Sequence, residues 1–380
     1  EVLSLPMTTD TGKVFTAFNE SGAAASSDPF LAIRDLAMRE HWLIPPNEIE
    51  LLRDRELGHG AYGVVLRGIY HGALVAVKLS WTELIGENSG NVRQLANEIR
   101  ILRQVRHPNL VCFYGAIIDA RSRLGMVLEH VDGMTLRDFV SRKRAKEPRT
   151  QYAISVGIAS ALMFLHSRDP CIVHGDLKSA NVMVEKEASF VQAKLLDFGL
   201  SRLLTRHARP LGGSLAWMSP EVFRCNSSLR PKPSSDVFSF GRLLFLVVTG
   251  TEALKGMDRQ AITKCMDEAR FPPLDWPKVS ALEDYSKDLV DECLQVEGNL
   301  RPSTKDVYEA IIAWPFDSPV TKMQGILSSR TSCLRDEALR AQSVAGVDAH
   351  EPVAMESSSD SRQFAMSFST KPTSNVAKVA

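Results

Sequence analysis

Asp176, Lys178 and Asn181 fall within the run Val173-His174-Gly175-Asp176-Leu177-Lys178-Ser179-Ala180-Asn181, and Asp197-Phe198-Gly199 begins sixteen residues after Asn181. A carboxylate such as Asp176 can accept the proton of an attacking hydroxyl. Lys178 can steady a phosphoryl group in transfer, and Asn181 and Asp197 offer hard oxygens suited to magnesium. Any one of these aspartates reads equally well as a turn residue or a helix cap. Four such groups in this order and at these separations have no competing structural explanation.

A second constellation lies upstream. Gly58-His59-Gly60-Ala61-Tyr62-Gly63, followed by Val65, spaces its glycines so that backbone N–H groups can approach phosphate oxygens. By itself the run serves a tight Gly-rich hairpin equally well. It sits between two expected strands rather than before a helix, which argues against a dinucleotide-binding fingerprint. Lys78 closes Val75-Ala76-Val77-Lys78 and alternates with Val77, so it faces the side covered by the Gly-rich loop. Glu98, twenty residues on, could pair with it and hold the ammonium over the phosphates of a nucleotide.

These groups require elements to position them. From Leu51 to about Val131 the runs are short, β-branched and split by glycine: Gly63–Leu66, Ala73–Lys78 and Met126–Leu128. They predict strands of an antiparallel sheet, and Leu95, Ile99 and Leu102 recur at the spacing of one helix among them. Beyond Met134 the patterns are helical, with Tyr152–Leu165 apolar nearly all round and Asp236–Thr249 similar. The expected class is α+β: a small antiparallel sheet lobe with one helix over 51–131, then a larger, mainly helical lobe over 132–316. Residues 1–45 contain one short amphipathic stretch, Phe30–Met38, and read as a mostly disordered linker that becomes ordered near Trp42. Residues 317–380 carry twelve serines, two Phe and no Trp or Tyr. That is too little apolar surface to offset ordering entropy, so a disordered tail is expected.

Across 51–316 the sequence resembles the eukaryotic protein kinase family. The resemblance rests on the Gly-rich loop, Lys78, Glu98, His107-Pro108-Asn109, the Asp176–Asn181 loop and Asp197-Phe198-Gly199. Ser219-Pro220-Glu221, Asp236-Val237-Phe238-Ser239-Phe240-Gly241 and Arg301 complete it. It implies a bilobal kinase fold, with ATP and Mg2+ as cofactors. Asp176, Lys178, Lys78 and Glu98 would be the catalytic set, and Asn181 and Asp197 the metal ligands. Gly58 to Gly63, Val65, Ala76, Lys78, Leu128, Glu129, Val131 and Met183 would surround the nucleotide. It further implies that Glu221 pairs with Arg301, that Asp236 hydrogen-bonds the catalytic-loop backbone, and that Leu102, Phe113, His174 and Phe198 stack between the lobes.

Smaller features resemble the tyrosine-kinase-like group, relatives of Raf and the mixed-lineage kinases: Trp42-Leu43-Ile44, Asp176-Leu177-Lys178-Ser179 and Leu215-Ala216-Trp217-Met218. Lys178 and Ser214 imply serine/threonine rather than tyrosine specificity, with Ser214 tying the substrate loop to Asp176 and Lys178. Gly175 departs from the family by replacing the arginine that pairs with an activation-loop phosphate. The expectation is a chain active without that phosphate and controlled through its flanks or by partner binding. The alternative is a phosphate on Ser201 or Thr205 captured by Arg202, Arg206 or Arg209. Ser219 and Phe238 stand where the family has Ala and Trp, and no functional meaning attaches to either.

Composition agrees. Lys+Arg and Asp+Glu balance at 45 each, so no global field favours nucleic acid or anionic lipid. The longest apolar run, Leu243–Val248, is too short to span a membrane. Six cysteines without a C-x-x-C pair fit buried thiols in a reducing, cytoplasmic compartment. The basic run Ser141–Lys146 reads as a solvated loop, or else as a nuclear signal or a patch for an acidic partner. The chain opens on Glu1 rather than Met, which points to a piece of a longer protein and leaves an upstream targeting signal open. A scaffold without turnover would be favoured by loss of Lys78, Asp176, Asn181 or Asp197, and all four are present. A dual-specificity or tyrosine kinase is a further alternative. A small-molecule kinase is opposed by the substrate-loop residues Ser214–Glu221. Protein substrates are the expected partners.

Overall fold

The computed structural model describes residues 29–60, 63–80, 90–118, 124–142, 147–186, 190–203, 214–224, 232–277 and 280–316. Its first layer is an antiparallel five-stranded sheet of β1 (Ile49–Gly60), β2 (Gly63–Tyr70), β3 (Ala73–Ser80), β4 (Phe113–Ile118) and β5 (Leu124–Glu129), in the order β1-β2-β3-β5-β4. Alternation along β3 sends Val75, Val77 and Leu79 to one face, where they pack with Ile44, Ile49, Ile117 and Val127. Ala76 and Lys78 take the opposite face. Val65 lies directly across from Lys78, as Leu128 does from Ala76, so all four share that face. Helix α1 (Pro29–Arg39) precedes the sheet, and helix α2 (Gly90–Leu102) buries Leu95, Ala96, Ile99 and Leu102 against the main core.

The flank before the sheet differs from the linker expected over residues 1–45. Residues 1–28 lie outside the described residues, but order is present from Pro29. Leu36 and Ala37 enter the core, and Trp42 meets Phe113 edge-on with ring centroids 6.1 Å apart. Glu40 accepts from Trp42 Nε1 at 2.9 Å and pairs with Arg103 just past α2. The Ile44 N–H donates to Ala116 at 2.8 Å, so the segment joins the edge strand β4. Order near Trp42 was expected; it begins earlier because the amphipathic stretch Phe30–Met38 lies within α1 and buries Leu36 and Ala37. The sheet accordingly starts at Ile49, two residues before Leu51.

The second part is helical. After β6 (Met134–Thr135) and α3 (Leu136–Val140) come α4 (Pro148–His166), α5 (Pro220–Arg224) and α6 (Pro233–Thr249). Helices α7 (Arg259–Glu268), α8 (Glu283–Cys293) and α9 (Thr304–Ile312) follow. From Ser235 to Thr249 every residue of α6 is buried, as its near-continuous apolar sequence requires. Two small ladders hold the functional loops: β7 (Ile172–Val173) pairs with β10 (Arg202–Leu203), and β8 (Val182–Lys186) lies between β6 and β9 (Val191–Leu195). Ser141 and Arg142 are exposed after α3, while Lys143–Lys146 and the tail 317–380 lie outside the described residues. Among the described residues no helix is long and apolar enough to cross a membrane.

Helix α9 starts with a capping box. Ser303 Oγ accepts from the Asp306 N–H at 3.2 Å and Asp306 Oδ2 accepts from the Ser303 N–H at 3.1 Å. Ser303→Ala is expected to cost about 1 kcal/mol in a urea melt with no loss of activity. An unchanged melt would show that this end of the helix is held by packing alone.

Candidate active site

Lys78, on the inner face of β3, reaches Glu98 Oε2 of α2 at 2.6 Å and Asp197 Oδ1 at 3.4 Å. The three residues line a small cavity with Leu95 and Gly199. Burial works against the Lys78 ammonium, but attraction to Glu98 and then Asp197 outweighs it, and the amine stays protonated well above its ordinary range. Burial pushes the Glu98 carboxyl upward, opposed by Lys78. For Asp197 burial also acts upward, but Lys78 and the Gly199 N–H outweigh it and bring the carboxyl below its ordinary value. Asp197 adopts φ 59°, a left-handed conformation uncommon for a residue with a side chain.

Asp176 is the centre of a second cluster. Its Oδ1 accepts from the Ser214 N–H at 3.0 Å and from Ser214 Oγ at 3.1 Å. Its Oδ2 accepts from Lys178 Nζ at 2.6 Å and Asn181 Nδ2 at 3.2 Å. Lys178 Nζ also donates to Ser214 Oγ at 2.9 Å, closing a triangle of carboxylate, ammonium and hydroxyl. The clusters are joined through backbone: the Leu196 N–H donates to the Asn181 carbonyl at 2.8 Å, which sets Asn181 beside the chain leading into Asp197.

Asp236 on α6 fixes the loop from below. It accepts from the His174 N–H at 2.7 Å, the Gly175 N–H at 2.9 Å and His166 Nε2 at 2.9 Å. Burial alone would raise its carboxyl, and the His166 hydrogen bond first among the opposing effects holds it below its ordinary value of 3.8. A carboxyl depressed in the folded state contributes stability that is complete at neutral pH. That contribution is lost as pH falls through the folded value. Asp236→Asn should therefore flatten the loss of stability below about pH 4 and lower stability at pH 7 by about 3 kcal/mol. Denaturant melts at several pH values check this, and wild-type-like melts would contradict it.

The glycines of two motifs have steric reasons. A Cβ on Gly63 would come within 2.0 Å of the Leu79 carbonyl oxygen, so the hairpin demands glycine there whatever it also binds. Gly175 has φ 78°, and a Cβ would stand 2.9 Å from the Leu200 oxygen. Of the other nucleotide-side residues, Gly58, His59 and Gly60 lie in β1, the last two opposite Val64 and Gly63, while Ala61 and Tyr62 lie outside the described residues. Met183 sits in β8 across from Lys194. The Glu129 carboxylate is taken by Lys194 at 2.9 Å, its N–H donates to the Cys112 carbonyl, and the Val131 carbonyl accepts from Gly133. Leu102, Phe113 and Phe198 are buried in one cluster, with the His174 and Phe198 rings 5.1 Å apart, and Arg301 holds Glu221 through two bonds of 2.6 and 2.8 Å.

Two further residues, Asn97 and His166, were not singled out from the sequence, and Ser201 was named there only as a candidate phosphate acceptor. Asn97, next to Glu98, donates to the carbonyls of Phe198, Gly199 and Ser201 at 3.3, 3.2 and 2.9 Å. Glu98 Oε1 accepts from the Phe198 N–H at 3.2 Å, so two neighbouring residues of α2 clasp one backbone segment. His166 links Asp236 to Thr304, and Ser201 is fully buried with its Oγ donating to the His174 carbonyl at 2.8 Å. Only the position of Asn97 beside Glu98 was a signal. The other two depend on contacts distant in sequence.

Two clusters of opposite charges, one about a lysine of β3 that lies across from Val65 and one beside Ser214, define a class. The description "Protein kinase domain" matches residues 51–311, and the chain belongs to that family. Among its relatives is the Arabidopsis thaliana protein named Probable serine/threonine-protein kinase SIS8, 32% identical over 272 residues, covering 69% of this chain and 25% of that protein. Serine/threonine-protein kinase CTR1 of the same plant is 34% identical over 200 residues, covering 51% and 23%. The mitogen-activated protein kinase kinase kinase MST11 of Pyricularia oryzae is 28% identical over 331 residues, covering 82% and 33%. The chain spans a third or less of the length of these three relatives.

Proposed function

We propose that the chain is an ATP-dependent protein kinase that transfers the γ-phosphoryl group to serine and threonine hydroxyls of proteins. The Asp176–Lys178–Ser214 triangle carries the reading. Asp176 accepts the proton of the acceptor hydroxyl, Lys178 compensates charge on the phosphoryl oxygens, and Ser214 holds the substrate loop to both. Lys78, fixed by Glu98, steadies the phosphates of ATP. Val65, Ala76, Leu128 and Met183 enclose the adenine, and Glu129 to Val131 border it. The serine/threonine names of the relatives agree with this specificity.

Magnesium fits the donor set. The Asn181 amide nitrogen is spent on the Asp176 carbonyl and carboxylate, which leaves the amide oxygen, and Asp197 adds a carboxylate; both are hard oxygen donors. Bound there, Mg2+ neutralises charge on the phosphates. A cytoplasmic setting accords with the free thiols Cys112, Cys171, Cys265 and Cys293, and upstream regulators belong to the same reading.

Activity without an activation-loop phosphate is part of the proposal. Gly175 has no side chain to receive one, and a side chain there would meet the Leu200 carbonyl. Ser201, one of two candidate acceptors, is buried and bonded to His174, and Thr205 lies outside the described residues. Phosphatase-treated chain is expected to keep its initial rate. Collapse on dephosphorylation, with recovery only after autophosphorylation, would refute this.

The reading as a whole is tested by incubating the purified chain with γ-labelled ATP, Mg2+ and dephosphorylated casein. Label on casein is expected. Nucleotide bound without label transfer would favour the scaffold.

A further inference from the structure

Arg242 follows Phe238 by four residues on α6, which puts the two side chains on one helix face. The guanidinium lies 4.6 Å from the Phe238 ring centroid and 5.0 Å from that of Phe271. It is 3% exposed and, among the described residues, has no carboxylate within ion-pairing distance. Burial pushes its pKa down to about 9, so charge is kept there at a cost. Aromatic faces offset part of that cost. The rest goes to one polar contact: Arg242 Nη1 donates to the Ala216 carbonyl.

Ala216 belongs to the substrate loop. One helical turn before Arg242, Ser239 Oγ donates to the next carbonyl, Trp217, at 2.8 Å. Trp217 and Met218 in turn donate their N–H groups to the Ser214 carbonyl at 2.8 and 3.1 Å. Phe238 also takes the Arg301 guanidinium, 4.9 Å from its centroid, and Arg301 grips Glu221. Residues 216–221 are thus bracketed by two guanidinia that lie against one phenyl ring. That ring, Phe238, stands where the family has a larger indole.

We infer that Arg242 is a positioning residue for the acceptor: by holding the Ala216 carbonyl it sets the substrate loop, and with it Ser214, in the conformation that presents a hydroxyl to Asp176. The inference rests on the kinase reading above. It makes no contact with ATP necessary, so its signature is a change on the acceptor side alone.

The test compares wild type with Arg242→Met, Arg242→Lys and Phe271→Leu. Steady-state kinetics with dephosphorylated casein and ATP are read beside hydrogen exchange of the 214–221 amides. Arg242→Met should raise KM for casein about tenfold, leave KM for ATP unchanged, and speed exchange across 214–221. Arg242→Lys keeps a donor but not the planar stack and should fall between. If Arg242→Met does not fold, Phe271→Leu, which removes one stacked ring, should show the same selective rise at smaller amplitude. Unchanged casein KM, or equal rises in both KM values, would overturn the inference. Should wild type transfer no phosphate, the kinase reading fails, and exchange at 214–221 alone decides whether Arg242 anchors the loop.

Discussion

Asp197→Asn is expected to abolish phosphoryl transfer, by on the order of a thousandfold or more, while the protein stays folded. Asparagine tolerates the left-handed backbone that Asp197 occupies at φ 59°, so the substitution brings no new strain. Lys78 keeps its shorter partner Glu98 at 2.6 Å and loses only the charge of the 3.4 Å contact. What disappears is the carboxylate assigned to the metal. Label transfer should fall to background with a melting temperature close to wild type. Retained turnover would remove Asp197 from the metal site.

Asp176→Asn should lower kcat by about 10²–10⁴-fold and leave KM for ATP nearly unchanged. The carboxylate offers two oxygens to four donors: two from Ser214 and one each from Lys178 and Asn181. An amide keeps one oxygen, loses the proton-accepting charge and turns an N–H2 group toward donors. The damage falls on the acceptor side, because the groups assigned to the nucleotide phosphates, Lys78 and Glu98, sit on β3 and α2. Comparing steady-state kinetics over ATP and over casein separates the two sides. Wild-type-like turnover would sink the role given to Asp176.

The groups to which catalysis is assigned, Asp176, Lys178, Lys78 and Glu98, could be picked out in the sequence by residue type and short spacing, and the structure brings them into two clusters. The strands of the sheet were legible because β3 alternates cleanly between its faces. Boundaries were less so: Met126–Leu128 proved to be the centre of a strand running from Leu124 to Glu129. The flank from Pro29 was read as linker because its order depends on Trp42 meeting Phe113, a contact that no local pattern announces. His166 and Arg242 were illegible for the same reason. On a helix each resembles any polar residue, and its partners lie 26 to 138 positions away. Gly175 shows the converse: its absence of a side chain reads as a missing phosphate receptor, while its positive φ adds a steric reason that residue type alone did not supply.

The triangle of Asp176, Lys178 and Ser214 as the site where a serine or threonine hydroxyl is phosphorylated is tested most directly by phosphoamino-acid analysis. Casein labelled by wild type and by Asp176→Asn under identical conditions would be hydrolysed and its phosphoamino acids separated. Phosphoserine and phosphothreonine are predicted from wild type, with neither above background from the variant. Phosphotyrosine as the main product, or equal label from both proteins, would contradict the account.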